Sequence, residues 1–166
     1  TLPTLMYHEG APGHHFQISS AQLIDNVPFL RTVGLFSGYV EGWALYSERL
    51  AAVDMGMYDD YALGDLGRLQ AEMFRAVRLV VDTGMHDKRW SREQAITYML
   101  DKTGMTEAEV VREIERYVVW PGQATAYKVG QLAILKIRSL AERELGEKFD
   151  IKQFHEVILS NGAMPL

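Results

Sequence analysis

The sequence predicts an all-α chain, and three observations lead there. Apolar residues recur at three- and four-residue steps through Leu66, Leu69, Met73, Val77, Val80 and Val81, the period of one helix face. Ser91-Arg92-Glu93-Gln94 and Thr106-Glu107-Ala108-Glu109 have the form of capping boxes, in which a hydroxyl and a carboxyl or amide satisfy each other's free backbone N–H groups. No stretch alternates apolar and polar residues as a half-buried strand does.

The first helical segment carries His8 and Glu9 and meets Pro12-Gly13, where proline removes a hydrogen bond and glycine accepts unusual backbone angles, so a broken or bulged helix is expected. Past Gly34 and Gly38, Glu41 opens a run of good helical residues. The long amphipathic helix should run from about Asp59 to Thr83, with Gly84 as its stop. Helices then begin behind Ser91 and Thr106, and Pro121-Gly122 separates the second from the next. Ile134, Ile137, Ala141 and Leu145 give a buried face to a helix from about Ala124 to Leu145, closed by Gly146. A last helix is expected over Ile151 to Leu159.

Composition bounds the function. With 166 residues, 48% hydrophobic and 23% charged, residues 1–166 suit a single helical domain with its own core. A net charge of -5 without any basic stripe argues against a nucleic-acid partner, because nothing is there to neutralise phosphates. No apolar run reaches the roughly 18 residues of a membrane span. With no cysteine, the strong metal ligands left are His, Asp and Glu.

Those residue types cluster early. His8-Glu9 precedes His14-His15, and two imidazoles beside a carboxylate are what a hydrolytic zinc site needs: neutral imidazole binds the ion, one position stays open for water, and a carboxylate takes the water's proton. Glu9 is the candidate base. His8 and His14 are six apart, however, which on a straight helix separates them by roughly 9 Å along the axis and a third of a turn around it. Zinc–nitrogen bonds of about 2 Å need a break between them. His14 is the favoured second ligand and His15 the competitor. A third ligand should come from Glu41-Gly42-Trp43-Ala44-Leu45-Tyr46-Ser47-Glu48, with Glu41 leading. Glu48 lies two turns on, roughly 10 Å away, and reads as the carboxylate that receives a ligand histidine's other N–H, or as a surface charge.

Further polar residues stand where a peptidase would use them. Tyr127, behind the Pro-Gly turn, is the first candidate to stabilise an oxyanion, and His86 the second. Lys128 could meet a substrate carboxylate, and Gln123, Arg138 and His155 are weaker candidates. Each has a plain structural reading: a satisfied buried hydroxyl for Tyr127, a solvated charge for Lys128, an ion pair for Arg138, a hydrogen-bonded imidazole for His155. The eight methionines read as gap fillers. For the His/Glu group the plain alternative is a buried polar cluster without an ion, which would be expensive.

HEGAPGHHFQ, EGWALYSE, VVDTGMH, WSREQAITYM, WPGQATAYK and the terminal SNGAMPL together resemble an uncharacterised bacterial family, known by a domain-of-unknown-function label and placed among the zincin-like metallopeptidases. The resemblance implies the mostly helical C-terminal part of a gluzincin-type fold, with Zn2+ on His8, His14 and Glu41 and with Glu9 as base. It also implies a peptide or small amide substrate, and a cleft completed by an N-terminal part of a longer protein, since the metal motif begins seven residues after Thr1. Two alternatives remain open: an inactive helical binding or scaffold module, and a metal-dependent hydrolase of a non-peptide ester or amide.

Overall fold

The computed structural model describes residues 2–33 and 36–165. Among them there are helices, turns and no strand, so the chain is all-α. Gly34, part of the glycine-rich lead-in to Glu41, lies outside the described residues.

The helical break falls where Pro12-Gly13 predicts it. Helix α1 (Leu2–Glu9) stops one residue after His8, and α2 (His14–Gln22) starts at the second histidine. The turn between them folds back tightly on α1. A Cβ on Gly13 would stand 1.9 Å from the His8 carbonyl oxygen, so only glycine permits the approach. A short α3 (Phe29–Thr32) leads to α4 (Ser37–Val53), of which residues 42–48 are all buried.

Helix α4 is the centre of the molecule, and α8 (Ala126–Leu145) packs along it. Gly42 and Gly130 make that closeness possible, because a Cβ on Gly42 would meet the Gly130 backbone at 2.5 Å. Around this pair Trp43, Tyr46, Leu50 and Ile134 form one core with Phe154 and Leu159 of α9 (Ile151–Leu159). A second core joins α5 (Ala62–His86), α6 (Arg92–Thr103) and α7 (Glu107–Val119) through Val77, Val81, Met99, Val110, Ile114 and Tyr117.

Both capping boxes form as read: Ser91 with Gln94 opens α6, and Thr106 with Glu109 opens α7. The last helix has the expected bounds, with Asp150 capping it through the Lys152 and Gln153 N–H groups. A 3-10 turn over Gln123–Thr125 precedes α8, so the regular helix starts two residues later than the sequence suggests.

Two expectations are corrected. Gly84 does not stop α5, which runs to His86. It is buried beneath Trp90, whose ring lies 2.6 Å from where a Cβ would be, so its smallness admits an aromatic ring. The apolar stripe is also only partly a core face. Val77 and Val81 are buried, but Leu66, Leu69, Met73 and Val80 are exposed, as are Ile137 and Leu145 on α8. Helical period locates a face without saying how much of it a neighbour covers.

Candidate metal centre

Helices α1, α2 and α4 bring His8, His14 and Glu41 together. One ligand atom from each lies within 4.8 Å of the other two. His14 Nε2 is 3.1 Å from Glu41 Oε2, and His8 Nε2 is 3.7 Å from the same oxygen. The two imidazoles stand nearly perpendicular, with ring centroids 4.8 Å apart. With their ligand atoms this close, the three side chains form a group that could hold a metal ion. His15, the competing ligand, points elsewhere and is exposed.

Behind the cluster Glu48 does what its position two turns past Glu41 suggested. It is buried, and its Oε1 lies 2.6 Å from His8 Nδ1. The bond fixes that nitrogen as the protonated one and leaves Nε2 facing Glu41, the orientation that ligand histidines take when a carboxylate stands behind them. The turn between the histidines is fixed from the same helix. Trp43 Nε1 and Ser47 Oγ both donate to the Pro12 carbonyl, at 2.8 and 3.3 Å.

Electrostatics follow from the crowding. Burial disfavours charge on His8, but hydrogen bonds to Glu41 and Glu48 outweigh it and raise its pKa to about 9. Burial likewise works against ionised Glu41. The bonds from His14, His8 and Tyr127 nonetheless hold its carboxyl far below the usual range. The protonated imidazole thus takes the part of a cation among these carboxylates, and the donor set fits a metal.

Tyr127 is the expected residue that the fold does bring in. Three residues before Gly130, it is buried, its ring stacks on His8 with centroids 6.3 Å apart, and it helps to lower the Glu41 pKa. Gln123 donates to its hydroxyl at 3.3 Å. Glu9 closes α1 with its side chain exposed, and it has no hydrogen bond or ion pair among the described residues. His86 is not brought to the cluster. It sits in the last turn of α5 with Nε2 donating to the Tyr117 carbonyl at 3.0 Å.

The weaker candidates are engaged structurally. Lys128 binds Glu72 at 2.6 Å, Arg138 holds Asp54 with both terminal nitrogens, and His155 bonds the Tyr46 hydroxyl at 2.7 Å. Sequence reasoning missed Arg75 and Arg78, whose guanidinium carbons lie 5.2 and 4.3 Å from the Tyr127 ring centre. The signal was available: Arg78 occupies the Val77–Val81 face of an amphipathic helix, where a cation is out of place.

Family membership follows from the whole length. Residues 1–166 match the model of a family described as a bacterial protein of unknown function, DUF885. The chain belongs to that family. Solved structures similar to it include two putative lipoproteins. One, described as "the putative lipoprotein from Colwellia psychrerythraea", shares 59% identity with a TM-score of 0.95, over 98% of this chain and 28% of that one. The other, described as "a putative lipoprotein of unknown function from Shewanella oneidensis", shares 29% identity with a TM-score of 0.88, over 97% of this chain and 29% of that one. The chain therefore spans less than a third of either structure. No curated protein matches it.

Proposed function

We propose that this chain carries the metal centre of a zinc-dependent peptidase, with His8, His14 and Glu41 as the ligands. One observation carries the reading: two imidazole nitrogens and a carboxylate oxygen lie within 4.8 Å of one another, and a buried carboxylate orients one imidazole from behind. Such donors favour zinc over magnesium or calcium, which take oxygen ligands.

An ion held there would supply Lewis acidity, making a water more acidic and polarising an amide carbonyl. The chain's own residues would do the rest. Glu9, exposed and unpaired beside His8, takes a proton from the attacking water as the water oxygen bonds to the amide carbon. The same proton passes to the leaving nitrogen as the C–N bond breaks, and the water's second proton follows it, giving a carboxylate and an ammonium group. Tyr127, its ring stacked on His8, donates to the oxyanion that forms meanwhile. His86, tied to the Tyr117 carbonyl, has no part in this scheme.

Elemental analysis of wild type, His8→Ala and Glu41→Ala protein after dialysis against zinc is the first test, followed by peptide-library hydrolysis with the full-length protein and its Glu9→Gln variant. About one zinc in the wild type and none in the ligand variants is expected, with Glu9→Gln keeping zinc and losing hydrolysis. A Glu9→Gln protein that still cleaves peptides removes Glu9 as the base. Absence of zinc from the full-length wild type removes the whole reading.

A further inference from the structure

Cations near the core of this protein generally hold a carboxylate. Arg68 is paired with Asp65 and Glu72, Lys128 with Glu72, and Arg138 with Asp54 and Glu142. Arg75 and Arg78 have no such partner among the described residues. The Nε of each is buried without an acceptor, and Arg78, 2% exposed, has one hydrogen bond, to the neutral amide oxygen of Gln123 at 3.3 Å. Arg75 has none. Both guanidiniums lie against Tyr127, which in turn stacks on His8.

Arg78 is buried and Arg75 half-buried, so leaving their charges without an anion is costly, and burial already pulls the Arg75 pKa below its ordinary value. Their placement makes chemical sense if an anion completes them. Arg75 lines a cavity of about 300 Å³ together with His8, Glu48, Thr4 and the apolar Leu2, Leu5 and Ala71. That volume is at the small end for ligand sites and suits one terminal residue better than the middle of a long peptide. Glu48 brings a second unmet group to the same space, since its Oε2 is buried without a donor. With Glu41 and Glu48 balanced by the two arginines, any divalent ion leaves the site net positive.

We propose that Arg75, backed by Arg78, binds the free α-carboxylate of a peptide's C-terminal residue, so that the centre acts as a carboxypeptidase. The inference rests on the metallopeptidase reading and narrows its substrate class. A planar guanidinium matches a carboxylate with two parallel hydrogen bonds. The terminal residue also carries an N–H, which is what Glu48 Oε2 lacks. Leu2 and Leu5 give its side chain an apolar wall.

The test separates binding from hydrolysis. Calorimetry on the zinc-loaded full-length Glu9→Gln protein compares N-benzoylglycyl-L-phenylalanine with its C-terminal amide. The free acid should bind at least about tenfold more tightly, as expected for hydrogen bonds to a charged group. Arg75→Gln should bring the ratio to about one, and Arg75→Lys, which keeps the charge but loses the fork, should leave it in between. Zinc content and circular dichroism verify that the variants are folded, and the comparison in the Arg75-containing protein stands without them. Equal or absent binding of acid and amide there overturns the carboxylate site, as does an acid preference that survives Arg75→Gln. Hydrolysis by protein with Glu9 intact is read separately: loss of it defeats the peptidase reading while the acid preference still reports on Arg75.

Discussion

Gly42 of α4 and Gly130 of α8 meet backbone to backbone. A Cβ on Gly130 would come within 2.6 Å of the Gly42 Cα and still closer to the Gly38 carbonyl oxygen. Glu41 adjoins one of these glycines and Tyr127 stands one helical turn before the other, so this contact sets how a metal ligand faces the tyrosine. Gly130→Ala should destabilise the protein by roughly 2 kcal/mol or more, because two backbones must part rather than a side chain rotate. Urea unfolding measures it, and a midpoint equal to wild type would show that the helices can separate freely.

Glu48 contributes by orientation. Glu48→Gln should keep one zinc per chain but weaken its binding by roughly 10- to 100-fold, as is usual when the partner behind a ligand histidine is altered. Competition with a chromogenic chelator reads the affinity. Unchanged affinity would reduce Glu48 to a buried charge that happens to meet His8.

Trp43→Phe keeps the ring in the core and deletes the hydrogen bond to the Pro12 carbonyl. A loss of about 1 kcal/mol in stability is expected. Zinc affinity should fall as well, because the turn joining two ligands loses one of its two anchors. If chelator competition finds affinity untouched, Ser47 alone holds the turn.

Acid should weaken the fold through His155. Burial, with Arg138 nearby, lowers its pKa below the ordinary 6.5. The unfolded chain therefore binds this proton more readily than the folded one, so the stability contribution is complete above about pH 6.5 and shrinks as pH falls below it. Asp54, held low by the Arg138 hydrogen bonds, acts in the same direction at lower pH. His8, raised to about 9, works in the opposite direction over the same range, so His155 is read from a comparison: between about pH 7.5 and 5.5 the urea midpoint of His155→Gln should fall less, or rise more, than that of the wild type. The same pH dependence in wild type and His155→Gln over this range would contradict the assignment.

Much of the site was legible because its ligands are local. His8, His14 and Glu41 fall within one short stretch, and Pro12-Gly13 announces the break that a six-residue spacing demands. Capping boxes at Ser91 and Thr106 were readable for the same reason, each being complete within four residues. What sequence could not supply was the identity of the neighbour. Gly84 looks like a stop until Trp90 is seen to need the space, and Leu66, Leu69 and Met73 look like core until their surroundings are known. His86 sits beside a plausible helix end in sequence, yet the fold turns it to the Tyr117 carbonyl. Arg75 and Arg78 were passed over because charged residues on helices usually face water; the place of Arg78 on the Val77–Val81 face was a readable sign, whereas Arg75 is marked out only by its contact with Tyr127.

The two hydrogen bonds on the Pro12 carbonyl carry a consequence for speed. With Trp43 and Ser47 holding the turn, and Glu48 holding the first imidazole, the spacing between the histidines is settled before any ion arrives. An ion bound there would need no search over loop conformations, and would take the place of a proton on His8. Loading of such a centre would not wait on chain folding.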